Sequence, residues 1–228
     1  MGIFKKKTLE IHTPETAITP PAPIIVKPSP PPPIVVIRKT ITRNWEGIVW
    51  HHSATIDGET KDWSGIVKYH TSHRIDFNIV SKKEFDRRQK AKKGDYFQKP
   101  WRFVGYHGAI EMVDGKASYF SGRSFNLSGA HSGVKGVSNV FNDNYIGLCA
   151  IGNYDTAPPS KEIWELALRV TKDLMKKFSI HPSFVIGHRE VYSKLGIPIQ
   201  KSCPGKAWDV DLFREELKKG DLINDKPK

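Results

Sequence analysis

Residues 47–52 read Gly-Ile-Val-Trp-His-His, an apolar run that ends in two histidines. A short apolar run of this kind predicts a buried β-strand. A second run, Phe-Val-Ile-Gly at residues 184–187, ends in the same way at His188. Two predicted strands, each followed by a histidine, place imidazole side chains where binding sites of α/β proteins are usually built.

Cys203 offers a third side chain of the same chemical kind. It lies in the turn Lys-Ser-Cys-Pro-Gly at residues 201–205, downstream of His188. Two imidazoles and one thiolate suit tetrahedral zinc, and three protein ligands leave the fourth position open, as in catalytic zinc sites. His51, His188 and Cys203 are therefore candidate ligands of one zinc ion per chain.

The second cysteine, Cys149, lies within the apolar run Tyr-Ile-Gly-Leu-Cys-Ala-Ile at residues 145–151. This run predicts a strand, in which a free cysteine behaves as a small buried hydrophobic side chain. A disulfide between Cys149 and Cys203 is the alternative to a zinc-ligand role for Cys203.

Helical patterns alternate with the predicted strands. Asp62 is the predicted N-cap of a helix whose spacing continues to Arg74, and Ser81 with Glu84 predicts a capping box that opens a basic helix ending near Gly94. Pro-Pro-Ser at residues 158–160 precedes the longest amphipathic stripe. Further predictions are a strand over residues 104–113, a hairpin turn at residues 114–115 and a last helix over residues 209–217. The alternation predicts an α/β fold.

The composition divides the chain into four predicted segments. Residues 1–19 form a short basic arm, and residues 20–37 form a proline-rich linker with eight prolines between positions 20 and 33. Such a density of proline predicts an extended spacer without a packed core. Residues 38–218 form the compact domain, and residues 219–228 form a polar tail.

The formal net charge of +12 predicts an anionic partner. No recognised nucleic-acid-binding module is present, so a nucleic-acid partner is not expected. Anionic envelope polymers or a membrane surface fit the charge of the arm and of the basic helix. For residues 82–93, which hold seven Lys or Arg, a solvated helix face is the alternative. The basic start lacks the apolar core of a signal peptide, which predicts synthesis and retention in a cytoplasm.

Eight short motifs follow one another from residue 48 to residue 205. They lie at residues 48–55 (Ile-Val-Trp-His-His-Ser-Ala-Thr), 104–107 (Val-Gly-Tyr-His), 122–123 (Gly-Arg), 129–131 (Gly-Ala-His), 144–148 (Asn-Tyr-Ile-Gly-Leu), 152–153 (Gly-Asn), 187–190 (Gly-His-Arg-Glu) and 201–205. In these motifs and their order the chain resembles the zinc-dependent N-acetylmuramoyl-L-alanine amidases of type 2. That family includes phage endolysins and animal peptidoglycan-recognition proteins.

The resemblance implies one amidase domain with a central mixed β-sheet flanked by helices, and zinc at the floor of a groove. The implied ligands are His51, His188 and Cys203. The adjacent alternatives are His52, which points to the other face if the strand continues, and Arg189, which does not ligate as a cation.

The resemblance also implies two catalytic side chains. Tyr106 would orient the attacking water or donate to the oxyanion, and Lys201 would stabilise the developing negative charge. Their alternatives are a buried tyrosine and a surface lysine. His131, Arg123 and Asn144 are candidate contacts for the substrate, with a structural role as the alternative for His131.

The general base is not assigned by the sequence. Glu111 and Glu190 are candidates, and Glu190 is also a candidate structural partner of a ligand or of Arg189. His70 and His73 have the spacing of a helical metal pair, for which ordinary packing is the alternative.

The implied function is hydrolysis of the amide between N-acetylmuramic acid and L-alanine in peptidoglycan by zinc-activated water. The basic arm and the lack of an evident secretion signal favour a monomeric phage endolysin that acts on the cell wall after release. The alternatives are a non-catalytic peptidoglycan-binding module, an amidase that recycles wall fragments, and a nucleic-acid-binding protein.

Overall fold

The computed structural model describes residues 43–55, 62–91 and 95–219. The predicted arm and linker, Gly94 and the tail beyond residue 219 lie outside the described residues. The described residues belong to one compact unit. None of the helices in these described ranges is long and apolar enough to cross a membrane.

The described strands form two sheets. A five-stranded sheet has the order β6-β5-β7-β1-β8, in which β5 and β6 pair antiparallel and the other neighbours pair parallel. The predicted mixed sheet is therefore confirmed. A three-stranded antiparallel sheet has the order β3-β2-β4. The strands are β1 (Gly47–His52), β2 (Arg74–Ile75), β3 (Asn78–Ile79), β4 (Phe97–Gln98), β5 (Gly108–Val113), β6 (Lys116–Ser121), β7 (Tyr145–Ala150) and β8 (Val185–Gly187).

Helices connect the strands and cover the main sheet. A 3₁₀ turn at Pro182–Phe184 precedes β8. The helices of the described residues are α1 (Trp63–His70), α2 (Lys82–Lys90), α3 (Val140–Asn144), α4 (Lys161–Phe178), α5 (His188–Lys194) and α6 (Val210–Lys219).

The long helix α4 begins where the sequence predicts. The hydroxyl of Ser160 accepts a hydrogen bond from the backbone N–H of Ile163, which satisfies one of the free donors of the first turn. Ile163, Ala167 and Leu174 of α4 are buried with Trp50 of β1 in the largest hydrophobic cluster. This cluster occupies one face of the main sheet and leaves the other face for the functional site.

The predicted boundaries of β5 and α1 were wrong. The strand predicted from Val104 begins at Gly108, because the backbone of Gly105 bonds instead to Ala130 and to the side chain of His70. Arg74 does not continue α1, which ends at His70; it lies in β2 and pairs with Gln98. The prediction for Arg74 was wrong because this residue keeps the helical spacing of α1 although the helix has already ended.

Helix α2 confirms the predicted start but is shorter than predicted. The hydroxyl of Ser81 accepts from the backbone N–H of Glu84, and the helix ends at Lys90, before the predicted stop. Much of its charge is paired, because Lys82, Arg87 and Arg88 form ion pairs with Asp86, Glu84 and Asp95 respectively. The solvated-face interpretation therefore fits α2 better than a free basic surface.

The register of the parallel strands sets the place of the two histidines. Trp50 of β1 pairs with Gly187 of β8, so His51 and His188 follow directly at the same edge of the sheet. Because strand side chains alternate, His51 faces the same side as Val49, away from the cluster that holds Trp50. Crevices at the carboxyl edge of parallel strands are common ligand sites.

Candidate metal centre

His51, His188 and Cys203 come together although they are distant in sequence. Their donor atoms all lie within 4.8 Å of one another. His51 Nδ1 is 3.6 Å from Cys203 Sγ. Zn–N bonds of about 2.0–2.1 Å and a Zn–S bond of about 2.3 Å imply a similar N···S separation of about 3.6 Å in a tetrahedral site. The donor set therefore fits zinc, with one position left for another ligand.

Both cysteines are free thiols, so the alternative disulfide between Cys149 and Cys203 is not formed. Cys149 is fully buried in β7, as predicted. The His51, His188 and Cys203 cluster is the only group of side chains with metal-ligand spacing in the part of the chain that the structure describes.

The loop that carries Cys203 is held by Arg189, the residue after His188. The backbone N–H of Arg189 donates to the carbonyl oxygen of Cys203 at 2.6 Å. Its guanidinium donates to the carbonyl oxygens of Ser202, Gly205 and Trp208 at 3.3, 2.6 and 2.9 Å. Arg189 is thus a clamp on the ligand loop, a role that the sequence did not indicate.

Asp155 anchors the same loop through two hydrogen bonds. Its carboxylate accepts from the Ser202 hydroxyl at 2.9 Å and from the Lys206 backbone N–H at 2.9 Å. The Ser202 hydrogen bond holds the pKa of Asp155 below its usual value, which makes this carboxylate a weak base. Nothing in the sequence near Asp155 signals this contact, because the two segments meet only in the folded chain.

Tyr106 and Lys201 line the open groove above the donor atoms, which has a volume of about 510 Å³. The Tyr106 ring centroid lies 5.1 Å from that of His51. Lys201 is exposed at the groove. The groove also includes His70, Trp101 and His131. The structure therefore brings both predicted catalytic side chains to the predicted ligands.

The three candidate substrate contacts fall in different places. His131 lines the groove, whereas Arg123 and Asn144 are not among the residues that line it. The Arg123 guanidinium donates to the carbonyl oxygens of Phe103, Val104 and Ser128. The Asn144 amide donates to Glu46 at 2.8 Å. These hydrogen bonds stabilise loops and leave Arg123 and Asn144 outside the site.

The two carboxylates considered as general bases make other contacts. Glu111 accepts from the Trp63 backbone N–H at 2.6 Å, at the start of α1. Glu190 accepts from the Gly187 backbone N–H at 2.7 Å and forms an ion pair with Arg214. Glu190 is thus a structural partner at the start of α5, and neither carboxylate lines the groove.

Two other histidine alternatives are also resolved. His52 follows His51 but accepts a hydrogen bond from the Tyr154 backbone N–H through Nδ1, and it is not part of the donor cluster. His73 lies beyond the end of α1 and packs on Phe85, with ring centroids 4.8 Å apart. His70 and His73 therefore do not form the helical metal pair.

A family model described as N-acetylmuramoyl-L-alanine amidase matches residues 41–206. The chain belongs to this amidase family. It is 28% identical over 109 residues to peptidoglycan-recognition protein LB of Drosophila melanogaster, a match that covers 47% of this chain and 40% of that protein. Peptidoglycan-recognition protein SD of Drosophila simulans is 28% identical over 89 residues, which are 39% of this chain and 43% of that protein. The matches span about two fifths of the length of these curated relatives.

Several solved structures are similar to the chain. The N-acetylmuramoyl-L-alanine amidase LysC from Clostridium intestinale has 19% identity and a TM-score of 0.48, with 78% of this chain and 89% of that chain covered. Wild-type Drosophila peptidoglycan-recognition protein LB has 20% identity and a TM-score of 0.47, with 75% and 81% covered.

The protonation states of the two donor histidines suit the binding of a cation. Burial lowers the pKa of His51 well below its usual value, and the proximity of His188 lowers it further. Burial and then the charge of Lys201 lower the pKa of His188 to about 3. Both imidazoles are therefore neutral at pH 7, with a lone pair available. Burial raises the pKa of the Cys203 thiol to about 12, so a metal ion would displace its proton on binding.

Tyr106 is suited to donate a hydrogen bond. Burial raises the pKa of its hydroxyl well above the usual value, and the nearby Cys149 and Cys203 raise it further. Tyr106 therefore keeps its O–H at neutral pH. Together with the ammonium of Lys201, this amidase-family groove offers a neutral donor and a positive charge beside the donor cluster.

Proposed function

We propose that the chain is a zinc-dependent amidase that hydrolyses the bond between the lactyl group of N-acetylmuramic acid and L-alanine in peptidoglycan. The observation that carries this proposal is the grouping of His51, His188 and Cys203 at the groove, a donor set that would leave a zinc ion a fourth position for another ligand. Membership of the amidase family supports the reaction type, and the names of the curated relatives support peptidoglycan as the substrate.

The residues at the groove have separate roles in the proposed reaction. His51, His188 and Cys203 would hold the ion, which would act as a Lewis acid and supply a nucleophilic water at neutral pH. Tyr106 donates its O–H to the oxygen that becomes negative when the amide carbonyl is attacked. Lys201 stabilises the same charge from the exposed side of the groove. Arg189 and Asp155 keep the Cys203 loop in the geometry that the ion needs.

The biological setting that fits best is that of a phage endolysin, made in the bacterial cytoplasm and acting as a monomer on the cell wall after release. The net charge of +12 supports an interaction with an anionic envelope polymer or membrane surface. Because several cations of α2 are paired, we assign this interaction to the Lys5-Lys6-Lys7 run of residues 1–19. Deletion of residues 1–33 should weaken lysis of intact cells and spare the cleavage of soluble muropeptide. Equal lysis of intact cells by the full chain and by the deletion variant would contradict this assignment.

A soluble N-acetylmuramoyl-L-alanyl peptide tests the reaction. Incubation with the zinc-loaded protein should release the intact peptide with a free L-alanine amine, detected by mass and amine labelling. The Cys203→Ser variant should release none. A protein that binds the substrate without forming a new amine would be a recognition module, and that outcome would overturn the proposed hydrolysis.

A further inference from the structure

His131 lies directly behind the candidate ligand His51. His131 Nδ1 is 3.0 Å from His51 Nε2, while the other nitrogen of His51 faces Cys203. The backbone N–H of His131 donates to the Asn142 side-chain oxygen at 2.7 Å. His131 is thus fixed through its backbone and reaches the ligand only at the nitrogen that points away from the metal position.

The tautomer of His131 follows from its second ring contact. His131 Nε2 lies 3.2 Å from the carbonyl oxygen of Tyr145. A carbonyl oxygen only accepts hydrogen bonds, so Nε2 carries the proton and Nδ1 of the neutral ring is an acceptor. The Ser132 hydroxyl oxygen lies 2.8 Å from His131 Nδ1 and 3.3 Å from His51 Nε2, so it is a second acceptor beside Nδ1 for a proton on His51 Nε2.

The tautomer of His51 follows in turn. A bare Nδ1 on His131 attracts His51 Nε2 at 3.0 Å only if Nε2 carries a proton, since two bare nitrogens would repel. We propose that His131 is a positioning residue that holds His51 in the Nε2–H tautomer and thereby presents a bare Nδ1 toward Cys203. This inference rests on the proposed zinc site. It replaces substrate contact as the role of His131.

Two glycines make the space for the His131 ring. A Cβ atom on Gly129 or on Gly147 would lie 2.3 Å from His131 Cδ2, far inside van der Waals contact. Gly147 lies within β7, and Gly129 lies in the loop that leads to His131. Strand β7 and the loop before His131 therefore each have a glycine where the His131 ring lies against the Tyr145 carbonyl group. This arrangement is independent of the hydrogen bonds and supports a defined ring position.

The tautomers can be measured without any metal. Ring ¹⁵N chemical shifts of the metal-free protein at pH 7.5 should show His131 and His51 protonated at Nε2 and bare at Nδ1. In His131→Leu, the His51 ring should lose this single tautomer and show a mixture. A proton on His51 Nδ1 in the wild-type protein, or an unchanged His51 spectrum in His131→Leu, would overturn the inference.

Zinc affinity gives a second readout through two variants of similar size. His131→Asn keeps an acceptor near the Nδ1 position, whereas His131→Leu has none. Competition with a chromophoric chelator should show zinc binding weakened about 10- to 100-fold in His131→Leu and within about 3-fold of wild type in His131→Asn. His181→Leu, which changes an exposed ring bonded to Ser183, is the control.

The outcomes separate this inference from the proposed function. Equal losses of affinity in the Leu and Asn variants would assign only packing to His131 and overturn the inference. A wild-type protein that binds zinc with the expected tautomers but hydrolyses nothing would overturn the proposed function and leave the role of His131 intact. Thermal unfolding of both metal-free variants should be similar, because each removes the same ring.

Discussion

The backbone N–H of Arg189 donates a 2.6 Å hydrogen bond to the carbonyl oxygen of Cys203, so the neighbour of one proposed zinc ligand holds the residue that carries another. Three further hydrogen bonds from the guanidinium fix the rest of the loop. The position of the thiol is therefore coupled to the start of α5, where His188 lies. This coupling explains how a ligand in an irregular loop is kept in register with two ligands at the sheet edge.

Replacement of Arg189 by methionine should loosen this loop. The variant loses three hydrogen bonds to buried or partly buried carbonyl groups, and we expect zinc affinity to fall about 10- to 100-fold. The free energy of unfolding should fall by about 1–3 kcal/mol. Chelator competition and urea denaturation measure the two effects. Arg169→Met, on the exposed side of α4, is the matched control, and equal behaviour of the two variants would contradict the clamp.

Replacement of Cys203 by serine should weaken zinc binding more than replacement of a residue that only supports a ligand, such as Arg189. Removal of a direct ligand should exceed the roughly 10- to 100-fold effect of a supporting residue. Cys149→Ala is the control, because Cys149 is buried in β7 and outside the donor cluster. After dialysis, the zinc content should be near zero for Cys203→Ser and near one per chain for Cys149→Ala. Retention of zinc by Cys203→Ser would remove Cys203 from the ligand set.

Replacement of Tyr106 by phenylalanine should separate catalysis from metal binding. The variant keeps the ring against His51 and loses the O–H donor together with its hydrogen bond to Cys149, so turnover should fall about 100- to 1000-fold while zinc content stays unchanged. Tyr119→Phe, a change in β6 outside the groove, should keep full turnover. Unchanged turnover in Tyr106→Phe would exclude Tyr106 from the mechanism.

The stability of the metal-free protein should fall as the pH is lowered from about 6.5 to about 4. Burial lowers the pKa of His107 to about 4, whereas an unfolded histidine has a pKa near 6.5. In this window the unfolded chain binds a proton that folded His107 does not, so acid favours unfolding by on the order of 2–3 kcal/mol for this group.

His107→Asn isolates this contribution. The asparagine oxygen can still accept from the Gly147 backbone N–H, which donates to His107 Nδ1 at 3.0 Å. The free energy of unfolding should therefore depend less steeply on pH in the variant than in the wild type. Denaturant titrations at pH 7 and pH 4.5 measure the difference, and identical pH dependence would exclude His107 as a contributor.

The parts that the sequence predicted correctly rest on local patterns. The apolar runs over β1 and β7, the Ser160 cap of α4 and the Ser81 cap of α2 each involve residues close together in the chain. Such patterns identify a buried strand or a helix start without knowledge of the partner. Each histidine could be placed at the end of an apolar run for the same reason, whereas their common sheet edge depends on the parallel pairing of β1 with β8.

The parts that the sequence did not predict depend on contacts between distant segments. Helix α5 begins at His188, directly after β8, and no sequence pattern predicted this helix. The Arg189 clamp and the Asp155 anchor join segments that meet only after folding. The role of His131 depends on a carbonyl group of Tyr145, and backbone atoms carry no signal in a sequence.

Digestion of purified sacculi is the measurement that tests the central claim most directly. The protein would be treated with a chelator, divided, and assayed with and without added zinc for new L-alanine amines on intact stem peptides. Zinc held by His51, His188 and Cys203 predicts no new amines without zinc, full recovery with zinc, and none for Cys203→Ser under either condition. Equal release of L-alanine amines with and without zinc, or no release from the zinc-loaded wild type, would contradict the proposed zinc-dependent hydrolysis.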